Sequence, residues 1–236
     1  CRRQRQMCIR DRDNVFNKTK FFPDSKLNYT ENILKKKSDK LAINFLSEKG
    51  FEENITWNEL YEKVCKFSSY LKKLNLQKGD RVAAYVPNKI ETIICFLACA
   101  KNGIIWSSCS PDFGAQGVVD RFKQIEPKVF ITCDYYYYNG KKINILDKVE
   151  EILKQIPSIK KVIAFNYNKQ ERESLKNFIN FEETLKNDLD EVFERFEFNH
   201  PIYILFSSGT TGKPKCITHG SGNVLIEHNK EFMLHC

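Results

Sequence analysis

No apolar run in this sequence approaches the ~20 residues that a membrane-spanning helix needs, and the start holds no apolar segment suited to a secretory signal. A soluble, cytoplasmic chain is the expectation. Paired cysteines are also lacking. The nine cysteines are odd in number and include no CxxC pair, which argues against both a disulfide framework and a zinc site. They are expected to be small buried hydrophobes in a reducing compartment, and no metal-binding set is expected. Internal repeats and low-complexity tracts are missing beyond the four tyrosines Tyr135–Tyr138, read as a strand end with a half-buried edge. What remains is a chain of 236 residues, 42% hydrophobic, enough for the core of one large domain or two small ones.

Arginine is scarce too, except at the start. The formal charge of +8 could point to nucleic acid, but "CRRQRQMCIRDR" holds five Arg and one Asp, a net +4 and half the excess. The rest of the chain uses Lys with abundant Asn, Ile, Phe and Tyr, as an AT-rich coding sequence would. Met7 to Arg12 is what translation of a common tagmentation adapter end would give. Residues 1–12 are therefore expected to be an assembly artefact, and no nucleic-acid or membrane partner is expected. A basic arm for RNA or membrane is the rival reading.

From Leu41 onward short apolar runs alternate with amphipathic stretches, the pattern of βαβ units. "LAINFLS" reads as a strand, and "TWNELYEKVCKFSSYLKKLNL" as a helix opened by a capping box between Thr56 and Glu59. "RVAAYVP" reads as a buried strand, and "IETIICFLACAKNG" as an apolar helix stopped at Gly103. The strand "IIWSSCS", a helix from about Gln116 to Ile125, the strand "KVFITC", a helix near Ile145 to Gln155 and the strand "KKVIAF" continue the series. A polar stretch read as a solvated excursion precedes "PIYILFSS", taken as the last strand. The implied fold class is α/β, a parallel sheet with helices on both faces.

That last strand runs into Ser207-Ser208-Gly209-Thr210-Thr211-Gly212-Lys213-Pro214-Lys215, which places the loop at the carboxyl end of the sheet, where open α/β folds bind ligands. Gly209 and Gly212 let backbone amides approach an anion closely. Ser207, Ser208, Thr210 and Thr211 add hydroxyl donors, Lys213 and Lys215 add charge, and every one of these groups suits phosphate oxygens. A Walker loop it is not. The glycines are three apart instead of five, and Pro214 follows Lys213 where a hydroxyl residue should stand.

"FSSGTTGKPK" resembles the phosphate-binding signature of the adenylate-forming enzymes, the superfamily of acyl-CoA synthetases, luciferases and peptide-synthetase adenylation domains. Asn102–Val129 and Lys215–Cys236 are similar to stretches of its acetoacetyl-CoA synthetases. The resemblance implies a two-step reaction in which a carboxylate attacks the α-phosphate of ATP and the thiol of CoA then displaces AMP. Acetoacetate, ATP with Mg2+, and CoA are the implied small-molecule partners, while oligomeric state is left open. It implies that Ser207, Ser208, Gly209, Thr210 and Thr211 hold the β- and γ-phosphates, that Gly212, Lys213 and Lys215 complete the loop, and that Lys141 lies near CoA phosphates. A solvated turn lysine is the other reading of Lys141. Parts of the superfamily's machinery, the adenylation lysine among them, should follow Cys236. Residues 13–236 are therefore expected to form a partial amino-terminal adenylation domain, inactive alone.

Weaker candidates surround the loop. Cys216, where the superfamily prefers Gly or Ala, is expected to pack, with a catalytic thiol as the alternative. His219 is expected to open the next helix as a capping or packing residue, with an acid or base as the alternative. Trp106 and the turn Ser110–Gly114 could face an acyl or CoA site or be structural, with Asp112 shaping the turn and capping the helix after it. Two rival functions stay open: a synthetase for acetate or propionate, and a non-catalytic nucleotide-binding module.

Overall fold

The computed structural model describes residues 22–171, 175, 177–207 and 212–235. Short, largely apolar and largely buried strands make the centre of the sheet. β4 (Arg81–Tyr85), β5 (Ile105–Cys109), β6 (Val129–Cys133) and β9 (Lys161–Phe165) are each five residues long, and β6 is buried throughout. Covered on two faces, such strands need no polar alternation. With β10 (Ile179–Asn180), β12 (Pro201–Ser207) and β13 (Lys215–Gly220) they form a seven-stranded sheet in the order β10-β9-β6-β4-β5-β12-β13. Every neighbouring pair is parallel except β12 with β13.

The order reverses around β4. The chain passes from β4 through α3 (Ile90–Lys101) to β5, then back through α4 (Ala115–Phe122) to β6 on the other side of β4. Right-handed crossovers in opposite directions put their helices on opposite faces. So α2 (Trp57–Lys73) packs on α3 over one face, and α5 (Leu146–Gln155) joins α4 over the other. In open α/β sheets, ligands bind beyond the carboxyl ends of the strands at such a reversal. Remaining elements are β1 (Lys26–Leu27), α1 (Tyr29–Ile33), β2 (Leu41–Leu46), β3 (Glu52–Thr56), β7 (Tyr135–Tyr138), β8 (Lys141–Asn144), α6 (Phe181–Thr184), β11 (Phe196–Glu197) and α7 (Ser221–Leu234).

The expected capping box is present. Thr56 accepts from the Glu59 amide, and the Glu59 carboxylate accepts from the Thr56 amide. Gly103 ends the apolar helix at φ 66°, in the left-handed region that glycine occupies without strain. Five cysteines, Cys65, Cys95, Cys99, Cys109 and Cys133, are buried free thiols.

Three expectations need correction. β2 is not the first strand of the parallel sheet; it pairs antiparallel with β3 as a separate hairpin turned at Gly50. β12 is not the last strand, because "KCITHG" returns alongside it as β13. The polar stretch is not simply solvated. Its Asp190 and the carbonyl of Val192 hold the buried ammonium of Lys101 at 2.9 and 2.8 Å, and β11 closes on β1.

Candidate functional site

The site is organised by the hydrogen bonds between β5 and β12. Tyr203 lies beside Trp106, and the Ser107 hydroxyl donates to the Ile204 carbonyl at 2.7 Å. The strands' carboxyl ends therefore lie side by side. One leads into the turn Ser110–Gly114 and the other into the glycine- and hydroxyl-rich loop. That loop is the connection of an antiparallel hairpin: Ser207 pairs with Lys215, and residues 208–214 span between them. Ser208, Gly209, Thr210 and Thr211 lie outside the described residues, as do residues 1–12. Gly212 is described and has φ 101°, a conformation that L side chains avoid. Lys213 and Lys215 are exposed, and Ser207 is half-buried.

Tyr85 holds the neighbouring turn from below. Its hydroxyl lies 2.7 Å from the carbonyls of both Pro111 and Phe113. Asp112 accepts from the Ser110 hydroxyl at 2.7 Å and from the Tyr136 hydroxyl at 2.9 Å. Burial, reinforced by that bond to Asp112, pushes the Tyr136 phenol up to about 12, so it stays a donor at neutral pH. Asp112 thus shapes the turn as expected, but it does not cap α4, whose N-cap is Gly114 without a side-chain bond. Trp106 is buried against Phe96 of α3, with ring centroids 6.3 Å apart, and belongs to the core.

The residues after the loop differ from expectation. His219 lies within β13 and not at the start of a helix; it packs on Tyr203 with ring centroids 4.9 Å apart. Cys216 is exposed where packing was expected, and partial burial raises the pKa of its thiol, the opposite of an activated nucleophile. Its Sγ lies 3.7 Å from Oε1 of Gln124. Lys141 is exposed in β8 opposite Tyr138, just past an Asn139-Gly140 turn with φ 49° and 73°. Both central residues in the left-handed region make this a type I′ hairpin. The hairpin went unread in the sequence, although Asn-Gly between two short runs is a strong signal for one.

A parallel α/β sheet with a hydroxyl-, glycine- and lysine-bearing loop at its carboxyl edge defines a nucleotide-handling domain of the adenylating type. The family model described as AMP-binding enzyme matches residues 30–233, and the chain belongs to that family. It is 44% identical over 223 residues to the acetoacetyl-coenzyme A synthetase of Rhizobium meliloti, with 92% of this chain and 34% of that protein covered. To malonamoyl-CoA synthetase of Penicillium aethiopicum it is 36% identical, covering 91% of this chain and 32% of that protein. Acetoacetyl-CoA synthetase from Streptomyces lividans, a solved structure, superposes with a TM-score of 0.87 at 37% identity, over 92% of this chain and 34% of that one. The chain therefore spans about a third of the length of the relatives it matches. Among the described residues, no helix is long and apolar enough to cross a membrane, and no group of three His, Cys, Asp or Glu could hold a metal ion.

Proposed function

We propose that this chain is the phosphate-loop part of an AMP-forming acid–thiol ligase that makes acetoacetyl-CoA from acetoacetate, ATP and CoA in the cytoplasm, serving lipid or ketone-body metabolism. The carrying observation is the likeness to acetoacetyl-CoA synthetases over 92% of the chain, together with a solved relative of the same fold. In this reading residues 13–236 are part of an amino-terminal adenylation domain and work only within a polypeptide of the relatives' length.

The carboxylate of the acid attacks the α-phosphate of ATP, the bond to the β-phosphate oxygen breaks, and pyrophosphate leaves. The CoA thiolate then attacks the acyl carbon and AMP leaves. Charge builds on phosphate oxygens in the first step, so fixed donors contribute most there. Ser207 to Thr211 supply hydroxyl and amide donors, Gly212 supplies the turn that aims them, and Lys213 and Lys215 add positive charge. Mg2+ enters with ATP as part of the substrate. Lys141 is assigned to the CoA phosphates.

Acetoacetate and malonamate, the acids that the relatives' names imply, both carry a carbonyl two carbons from the carboxylate. The test is pyrophosphate exchange by the complete gene product containing this chain, with acetoacetate, malonamate, acetate and propionate as substrates. Exchange strongest with acetoacetate is the expected result; strongest exchange with acetate or propionate would move the enzyme to another acid, and none with any acid would leave a nucleotide-binding module. The 236-residue chain alone is expected to release no AMP.

A further inference from the structure

Gln124 lies two residues beyond the end of α4 and 90 residues from Pro214 in sequence, yet its carboxamide is committed to the arm that descends from the loop. Its Nε2 donates to the Pro214 carbonyl at 2.9 Å and to the Asp120 carbonyl at 2.7 Å. Its Oε1 accepts from the Cys216 thiol at 3.7 Å, within range for a sulfur donor. Both amide hydrogens and one lone pair are therefore used, and the two carbonyl acceptors fix which end of the amide is nitrogen. Asp120 O and Pro214 O share one donor group, so the arm is tied to the last turn of α4. Beside this bond, Phe122 of α4 meets Phe206 of β12 edge-on at 6.5 Å between centroids, fixing the ascending strand to the same helix.

We propose that Gln124 is a positioning residue for the glycine-rich loop: it holds the descending arm from Gly212 to Cys216 against α4, and the loop's hold on a polyphosphate depends on that grip. Proline at 214 has no amide hydrogen, and its carbonyl is a natural handle for an outside donor at this point of the arm. The arm's other support is the β12–β13 ladder, which starts only at Lys215. Without Gln124, residues 212–214 would be held by chain connectivity alone among the contacts described. The statement about polyphosphate rests on the function proposed above; the statement about the arm does not.

Two measurements separate these parts. In the 236-residue chain, amide hydrogen exchange is followed for peptides covering 206–220 in wild type, Gln124→Met and Gln124→Glu. Met keeps the stem without the hydrogen bonds, and Glu keeps an acceptor but cannot donate to Pro214. Exchange at Lys215 and Cys216 should rise about fivefold in both variants, the factor that one lost hydrogen bond allows, while peptides of β4 and β6 stay unchanged as a check on folding. Unchanged exchange at 215–216 with an intact core overturns the clamp. A variant that fails to keep β4 and β6 protected would make Gln124 a folding residue and overturns it equally.

In the complete gene product, Gln124→Met should raise KM for ATP about fivefold and leave KM for the acid within error. A fall in kcat with KM for ATP unaltered would mean only loss of active protein and would overturn the positioning role. Should wild-type gene product show no ATP-dependent chemistry, the proposed function fails and hydrogen exchange alone still decides the clamp.

Discussion

The ring of Phe196 occupies the space where a β-carbon on Gly103 would stand, 2.7 Å from the nearest ring atom. Gly103 also sits at φ 66°, so two independent constraints select glycine at the end of α3. Gly103→Ala must either shift β11 or strain the backbone, and both cost energy. A loss of about 3 kcal/mol is expected from left-handed strain plus overpacking, read as a lower urea midpoint with unchanged slope. Gly79→Ala, at φ 86° but with open space around it, should lose about 1 kcal/mol. Equal losses at the two sites would show that Phe196 does not press on Gly103.

Lys101 is fully buried at the end of an otherwise apolar helix, and its ammonium meets Asp190, the Val192 carbonyl and Ser68. Burial by itself would raise the Asp190 pKa, but hydrogen bonds from Lys72 and Lys101 outweigh it and hold the carboxyl down to about 2. A folded-state pKa below the unfolded one means stability that is present above pH ~4 and lost as pH falls towards 2. Asp190→Asn should cost about 3 kcal/mol at pH 7, because it strands a buried charge. Replacing both partners, Lys101→Met with Asp190→Leu, should recover most of that loss. A double variant as unstable as Asp190→Asn would show that packing, not the stranded ammonium, sets the cost.

These two cases mark what could be read from the sequence. The buried strands, the capping box at Thr56 and Glu59 and the stop at Gly103 all depend on local chemistry, and each appears where the residues put it. "LAINFL" misled because it is apolar enough for a strand but carries exposed Leu41 and Leu46; a central parallel strand would be buried along its length, as β6 is. "KCITHG" gives no strand signal of its own because its partner is the preceding strand of the sheet, with residues 208–214 between them. Lys101 carries no local sign of a structural role, and only a partner 89 residues away gives it one. Gln124 likewise shows only its local bond to the Asp120 carbonyl in the sequence around it; its other two partners, Pro214 and Cys216, lie about 90 residues away.

His200 gives the chain a pH dependence of opposite origin to that of Asp190. Its Nε2 faces the Gly103 carbonyl at 2.8 Å and must carry a proton there, so the neutral ring is held in one tautomer. Burial lowers its pKa, and the bond to Gly103 opposes this without reversing it. The unfolded chain then takes up the proton first. Stability should be complete above pH ~7 and decline as pH falls through 6.5 towards the folded-state value. Gln can donate to the same carbonyl without titrating, so His200→Gln should show a shallower loss of urea midpoint between pH 7.5 and 5.5. Parallel curves for the two proteins would exclude His200 as the source.

Gly212 carries the most direct prediction for the site. At φ 101° nothing lies within 4 Å of a β-carbon built there, so a substitution would meet no neighbour and act through the backbone alone. Holding alanine in that region costs about 1–3 kcal/mol, which the exposed loop can escape by changing shape. The fold should therefore survive Gly212→Ala while the aim of the loop's donors is lost. In the complete gene product KM for ATP should rise about tenfold, the factor that such strain allows, with an unchanged urea midpoint. Gly50→Ala supplies the control: it has φ 75° and open space too, but lies in the β2–β3 hairpin and should leave KM alone. A loop that tolerates alanine at 212 with ATP kinetics intact would mean that this turn does not set the hold on ATP, and would count against the proposed assignment of the β- and γ-phosphates to Ser207–Thr211.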